Sequence, residues 1–178
     1  MVVSFQDVAS DGNCGYRALA VALGFREEDW RIIRHALSLH VQRRRELLED
    51  LYGVQSYEAI SRATQWFNGD ATEEYWFTTI TAVVAADLLR RPVVILGEEL
   101  RNSATYLPYT ADAFNSTPVT LKNVSNAYWG ACVLRPQFLP RIDFQWQQIM
   151  ERRRPDLRPL YQDLDDAVQA WKDLYMQI

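Results

Sequence analysis

The sequence predicts an α+β fold, in which a small mixed β-sheet is flanked by helices. Two patterns lead to this class. Apolar residues recur at helical spacing through much of the first half of the chain, and β-branched runs bounded by turn residues follow between residues 92 and 134. The chain has 178 residues, of which 48% are hydrophobic, and this is enough to form one core of ordinary size.

The first half is predicted to be mainly helical. Residues 2–8 (VVSFQDV) form a short extended lead-in, and the turn cluster SDGN precedes a helix from about Cys14 to Leu23. Residues 24–53 are predicted to form one long amphipathic helix, because acids lie near its start, apolar residues follow at helical spacing, and a glycine closes it. A shorter helix is predicted over residues 56–67 (SYEAISRATQWF).

The chain then changes from helices to strands. Residues 70–91 contain a capping Asp or Thr and an apolar helical run that Pro92 ends. The predicted strands are PVVILG (92–97), TPVTLKN (117–123) and AYWGACVL (127–134), and a turn-rich stretch separates the first two. We place an α/β domain at residues 1–135 and a helical extension at residues 136–178, packed on the same domain, with two helices divided by Pro155 and Pro159.

Composition excludes several classes of function. The sequence has no run of about 18 apolar residues and no basic start followed by an apolar core, so we expect neither a membrane span nor a signal peptide. A net charge of -4 argues against a nucleic-acid partner. The cysteines, Cys14 and Cys132, have no metal-site spacing, so we expect no metal and a soluble protein of the cytoplasm or nucleus with reduced thiols.

The stretch DGNCGYRAL (11–19) has the chemistry of a nucleophile turn. A helix N-terminus favours negative charge, so Cys14 at the start of a helix is expected to have a lowered pKa and to act as a thiolate. The N–H groups of Asn13 and Cys14, in a loop shaped by Asp11, are expected to stabilise the oxyanion formed when a carbonyl is attacked. Gly12 and Gly15 would let a substrate backbone approach closely.

At three places the sequence resembles the ovarian-tumour (OTU) family of cysteine deubiquitinases. DGNCGYRAL is similar to the family's nucleophile turn, EEYWFTTITAVVAADLLRRPVVIL (73–96) to its tryptophan-containing helix and buried strand, and NAYWGACVL (126–134) to its closing strand. The resemblance covers roughly residues 2–134 and leaves the tail after Pro136 unexplained. It implies an OTU-like cysteine protease fold, hydrolysis of isopeptide bonds by a thiol, no cofactor, and ubiquitin or a ubiquitin-like protein as partner.

Active members of that family begin the closing strand with a histidine, and this chain does not. Alignment of the strand puts Tyr128 at the histidine position and Gly130 where an orienting acid or amide is common, whereas an alternative register puts Ala127 at the histidine position. Neither residue can efficiently accept a thiol proton at neutral pH. The two histidines, His35 and His40, lie in the predicted long helix, where packing or surface roles are expected.

Three hypotheses of function follow. The first is recognition of a ubiquitin fold on a degenerate isopeptidase scaffold, with Cys14 at the nucleophile position, Asp11 and Asn13 in the oxyanion turn, and Tyr128 in place of the base. The second is a scaffold in a larger assembly, docked through the apolar stripes FQWQQIM (144–150) and AVQAWKDLYMQI (167–178). The third is an active deubiquitinase whose histidine has been replaced in this chain.

Overall fold

A computed structural model of the chain describes residues 2–66, 69–98, 102–109, 117–125, 128–134, 140–159 and 162. Six α-helices lie in these ranges: α1 (Cys14–Ala22), α2 (Trp30–Arg43), α3 (Arg45–Tyr52), α4 (Val54–Thr64), α5 (Thr79–Leu89) and α6 (Phe144–Arg153). The same ranges contain five β-strands: β1 (Val2–Gln6), β2 (Val93–Leu96), β3 (Ala104–Tyr106), β4 (Val119–Val124) and β5 (Tyr128–Leu134). The predicted α+β class and mixed sheet are confirmed.

The five strands form one sheet in the order β1-β5-β4-β2-β3. Strands β2 and β4 are parallel, and the other neighbouring pairs are antiparallel. Strand β1, the predicted lead-in, is an edge strand that pairs with β5, where Phe5 lies opposite Cys132 and Gln6 opposite Ala131. This pairing brings the residues just after β1 to the beginning of β5, which is where the candidate site lies.

The main core lies between the helices and one face of the sheet. Side chains of Val93, Ile95, Leu121 and Trp129 belong to the same buried cluster as the apolar faces of α1, α2 and α5. Alternate residues point to the opposite face of a strand, and there Val94, Leu96 and Cys132 form a second, smaller cluster. Helix α5 is buried over most of its length, in keeping with its apolar sequence.

The prediction of one continuous helix over residues 24–53 is wrong. A 3-10 turn (Glu27–Asp29) precedes α2, and the helix is interrupted at Arg44, so that α2 and α3 are separate. The side chains of His40 and Arg44, one helical turn apart, both bind Asp87 on α5, which holds the end of α2 in place. The glycine expected to close the segment, Gly53, does end α3, with a φ of 86°.

Two further differences concern the middle of the chain. Helix α5 begins at Thr79, well inside the predicted stretch 70–91, because the hydroxyl of Thr78 accepts a hydrogen bond from the backbone N–H of Thr81 and caps the helix there. Residues Glu73–Tyr75 form a 3-10 turn instead. Strand β3 was not predicted, since its three residues lie in a stretch dominated by turn formers.

The described part of the tail is joined to the main core. Helix α6 begins at a capping residue, Asp143, whose carboxylate accepts the N–H of Trp146, and the side chains of Trp146 and Met150 are each only 1% exposed within the main cluster. The second apolar stripe, residues 167–178, lies outside the described residues. Among the residues that the structure describes, no helix is both long enough and apolar enough to cross a membrane.

Candidate active site

Cys14 is the first residue of α1, as expected, and its side chain faces the protein interior. The residue is only 5% exposed. Its sulfur lies beside β5, where the backbone N–H of Trp129, together with the N–H groups of Gly15 and of Cys14 itself, is close enough to lower the pKa of the thiol. A helix start and a strand more than 110 residues later in the sequence therefore meet at this thiol.

The ionisation of Cys14 differs from the expectation. Burial raises the pKa of the thiol, and the carboxylate of Asp11 raises it further, while the three backbone N–H groups lower it. The net result is a pKa above the ordinary cysteine value. The expected depression by the helix N-terminus is therefore wrong, because loss of solvent around the sulfur outweighs the favourable backbone dipoles.

Asp11 is an integral part of the turn. Its carboxylate binds the guanidinium of Arg17, with an Nη2–Oδ2 distance of 2.5 Å, and accepts a hydrogen bond from the backbone N–H of Asn13 at 3.0 Å. Partial burial raises the pKa of Asp11, but these hydrogen bonds outweigh it and hold the pKa below its usual value. Because the N–H of Asn13 already has this acceptor, the expectation that it serves an oxyanion is not met in this conformation.

The Asn13 side chain is completely buried. Its Nδ2 group lies 3.4 Å from the carbonyl oxygens of both Asp11 and Gly69, and its Oδ1 accepts a hydrogen bond of 2.5 Å from Nη1 of Arg34. The carboxamide thus joins the nucleophile turn to the loop before α5 and to α2. Sequence reasoning assigned Asn13 a role through its backbone and missed this side-chain role.

The glycines of the turn face the protein and not a substrate. Gly12 has a φ of +76°, and a Cβ atom there would lie 2.2 Å from the carbonyl oxygen of Ala71 and 2.9 Å from the indole nitrogen of Trp76. A Cβ atom on Gly15 would lie 2.2 Å from Cβ of Phe77. Both positions require glycine because of close internal packing, which accounts for these glycines without a substrate.

Tyr128 begins β5 and reaches back to the chain that follows β1. Its hydroxyl accepts a hydrogen bond from the N–H of Val8 at 2.9 Å and is within donating distance of the Val8 carbonyl oxygen, at 2.6 Å, and of the Asp7 carboxylate. Burial, followed by the interaction with Asp7, raises the pKa of Tyr128 to about 12. The phenol is therefore neutral at physiological pH. Ala127, the alternative position, lies outside the described residues.

Gly130, the position of the missing acid, has no room for one. A Cβ atom there would lie 2.3 Å and 2.4 Å from two ring carbons of Phe5 and 3.0 Å from the carbonyl oxygen of Gln6. Phe5 is on β1, directly across from this part of β5. An Asp or Asn at position 130 would have to displace the aromatic ring.

Both histidines lie elsewhere, on α2. Nε2 of His40 lies 2.8 Å from Oδ2 of Asp87 on α5, which also accepts a hydrogen bond of 3.0 Å from Nε of Arg44. Burial raises the pKa of Asp87, but these two partners outweigh it and hold the pKa below its usual value. The His35 side chain is exposed. These positions fit the packing and surface roles expected from the sequence.

A cleft of about 420 Å³ lies next to the start of β5, and Trp129 is among its lining residues whereas Cys14 is not. The aromatic side chains of Trp76, Phe77 and Trp129 form its inner wall, and the exposed carboxylates of Glu73 and Glu98 lie at its rim. Phe77 packs edge-on against Trp129 with a centroid distance of 5.1 Å. Because the N–H of Trp129 also contacts the Cys14 sulfur, one residue connects the cleft with the nucleophile position.

Sequence reasoning did not identify three features of the site: Arg34, Asp7 and the cleft. A signal for the first was present, since Arg34 is a charged residue on the apolar face of α2, between Ile33 and Leu37. No local pattern marks the other two, which depend on segments distant in sequence.

No protein-family model matches the chain, and neither does any curated protein. Solved structures do match it. The viral OTU domain protease of Qalyub virus is 17% identical, with a TM-score of 0.54 over 73% of this chain and 83% of that chain. The OTU domain of OTUD1 is 18% identical, with a TM-score of 0.55 over 73% and 85%. The Hazara virus OTU, solved bound to ubiquitin, is 19% identical, with a TM-score of 0.54 over 74% and 81%.

At these identities the similarity establishes the fold and leaves the activity open. It agrees with the α+β architecture and the mixed five-stranded sheet of the described residues. The chain therefore has an OTU-like fold.

Proposed function

We propose that this protein recognises ubiquitin or a ubiquitin-like protein on an OTU-like scaffold that no longer hydrolyses isopeptide bonds efficiently. The observation that carries the proposal is the pairing of an intact nucleophile turn with Tyr128 at the base position. Ubiquitin is the partner with independent support, because the similar Hazara virus OTU was solved in complex with it.

Impaired catalysis follows from the proton transfers that the reaction needs. A thiol protease requires a base that removes the thiol proton and returns it to the leaving amine. Tyr128 has a pKa of about 12 and Cys14 has a pKa above its ordinary value, so at neutral pH both groups keep their protons. Cleavage of a di-ubiquitin chain is therefore expected to be undetectable, and robust cleavage would refute this part of the proposal.

The cleft is the proposed binding site for the C-terminal tail of the partner. A tail that enters it would contact Trp76 and Trp129, while Glu73 and Glu98 at the rim favour a positively charged segment. Rim charges act mainly on the association rate and on its dependence on salt.

The test is a titration of isotope-labelled ubiquitin monitored by nuclear magnetic resonance. We expect chemical-shift changes in its C-terminal tail, and we expect the double variant Glu73→Lys, Glu98→Lys to weaken binding and reduce its salt dependence. Glu46→Lys is the matched control, because Glu46 is an exposed acid on α3, which does not line the cleft. Absence of shifts at any concentration, or equal weakening by the control, would contradict the proposal.

A further inference from the structure

Arg34 is a buried cation at the centre of the candidate site. The residue is 0% exposed, and its guanidinium lies 4.5 Å from the centroid of the Tyr16 ring. Its four hydrogen bonds go to oxygen atoms of Gln65 (2.7 Å), Ala63 (3.0 Å), Tyr75 (2.9 Å) and Asn13 (2.5 Å). A charge in such a place is tolerated only when its donors are satisfied, and the planar guanidinium satisfies several at fixed angles.

Three of these acceptors are backbone carbonyl oxygens and one is a side chain. The carbonyl groups belong to the end of α4 and to the 3-10 turn before α5, so they hold the guanidinium in place. The fourth acceptor, Oδ1 of Asn13, belongs to the nucleophile turn. Arg34 is thus fixed to the scaffold by three hydrogen bonds. Its fourth hydrogen bond goes to Asn13, the residue before Cys14.

Only a carboxamide fits the position of Asn13. Its oxygen accepts from Arg34, and its NH₂ group donates to the carbonyl oxygens of Asp11 and Gly69. A carboxylate of the same shape would place an acceptor against the carbonyl oxygens of Asp11 and Gly69, which are themselves acceptors. An alanine would remove the hydrogen bonds to these two oxygens and to Arg34.

Other contacts also hold the turn, but they are closer to solvent. Arg17 binds Asp11 with side chains 15% and 23% exposed, and the Glu27 carboxylate accepts the N–H of Ala9 near the surface. Arg34 and Asn13 are both completely buried, so their hydrogen bond is not screened by water or salt.

We propose that Arg34 is a positioning residue for Cys14, which holds the nucleophile turn closed through the carboxamide of Asn13. In this closed turn the thiol is shielded from solvent and surrounded by the N–H groups of Cys14, Gly15 and Trp129. The inference rests on the proposed function only in treating Cys14 as the reactive group.

The test measures alkylation of Cys14 by iodoacetamide as a function of pH, with each cysteine quantified by peptide mass spectrometry. We expect Arg34→Met and Asn13→Ala to move the midpoint of labelling to lower pH, because an opened turn solvates the thiol. A fall of one unit in its pKa raises the thiolate fraction about tenfold below the midpoint. Asp11 and Tyr128, the titratable neighbours of the sulfur, are unchanged in both variants.

A double variant identifies positioning as the cause. If Arg34 acts through Asn13, combining both changes should move the midpoint no further than either alone. Asn13→Asp should also open the turn, although the aspartate side chain has the same shape as that of asparagine. Arg44→Met is the matched control, since it removes a guanidinium from Asp87 at the end of the same helix and should leave the Cys14 profile unchanged.

Circular dichroism and urea unfolding establish that each variant is folded. If Arg34→Met does not fold, Asn13→Ala decides, because it leaves the three carbonyl contacts of Arg34 intact. An unchanged Cys14 profile in folded Asn13→Ala, or additive shifts in the double variant, would overturn the proposal. Since iodoacetamide needs no partner, a failure of ubiquitin binding leaves this result unaffected.

Discussion

The individual residues of the candidate site are held in place by contacts that shape it. Cys14 lies at a helix start, yet burial raises the pKa of its thiol. The sequence resemblance puts Tyr128 at the base position, and in the structure its hydroxyl connects β5 with Val8 and the Asp7 carboxylate. The tyrosine therefore contributes to structure at a position where the resemblance predicts chemistry.

Tyr128→His is expected to restore base assistance. A ubiquitin that carries a C-terminal electrophile should label Cys14 faster in this variant, by a factor near the lower end of the typical range of about 100- to 10,000-fold. Tyr128→Phe is the matched control, because it removes the hydroxyl and supplies no base, and Ala127→His tests the alternative register. Equal acceleration in the phenylalanine variant would mean that release of Val8, and not a base, is responsible.

Gly130→Asn is expected to destabilise the protein by about 1–3 kcal/mol, because its side chain would overlap the ring of Phe5. The free energy of unfolding in urea measures the effect. Adding Phe5→Ala should recover part of the loss, since Phe5 is 44% exposed and its removal costs little burial. A stable Gly130→Asn variant would show that the ring moves aside, and an acid could then be restored at this position.

At the level of secondary-structure elements, α2 connects the nucleophile turn with α5. One end of the helix supplies Arg34 to the nucleophile turn, and the other supplies His40 to Asp87 of α5. Asp87 also accepts hydrogen bonds from Arg44 and from the N–H of Tyr109, so it joins three segments. The break after α2 places Arg44 where it can take part in this cluster.

Replacing His40 by Gln is expected to lower the free energy of unfolding by about 1 kcal/mol, because a hydrogen bond to a buried carboxylate is lost or weakened. His35→Gln, at an exposed position of the same helix, should have no effect. Neither change should alter the labelling of Cys14. A loss of thiol labelling in the folded His40 variant would show instead that this histidine serves the site.

Asp87→Asn is expected to cost about 2 kcal/mol at neutral pH, because the carboxylate is 6% exposed and binds the imidazole of His40 and the guanidinium of Arg44. The folded pKa of Asp87 lies below its ordinary value, so the stability it contributes is present above about pH 4 and is lost as the pH falls through the folded pKa. The difference between wild type and variant should therefore shrink in acid, as measured by urea unfolding at several pH values. A constant difference down to pH 2 would contradict this.

The whole molecule has a continuous main core that includes residues from both ends of the described chain. Tyr16 and Leu19 of α1 belong to the same buried cluster as Ile142, Trp146 and Met150. The segment 140–153, which contains α6, is thus packed against the remainder, and we propose that it folds together with the preceding domain.

Trp146→Ala tests this proposal. The side chain is 1% exposed, and its removal from the core is expected to cost about 3–5 kcal/mol. Unfolding should remain a single transition by both circular dichroism and tryptophan fluorescence, at a lower urea midpoint. If α6 is instead an independent unit, the main transition will keep its midpoint and a second will appear.

Local sequence patterns determined the class of fold and the kind of site. Helical periodicity and β-branched runs predicted most elements, because burial of one face imposes a fixed spacing on a helix or strand. The DGNC turn located the nucleophile position at a helix start, and the sequence places no histidine in the strand that the resemblance identifies as the closing one. These inferences needed only neighbouring residues.

Tertiary structure alone decided the chemistry of that site. The sign of the Cys14 pKa shift depends on how fully the fold excludes water from the sulfur, and periodicity does not report this. The contacts of Tyr128 with Val8, of Gly130 with Phe5 and of Arg34 with Asn13 join residues 21 to 125 positions apart. Such contacts arise from the way elements pack, so no local pattern contains them.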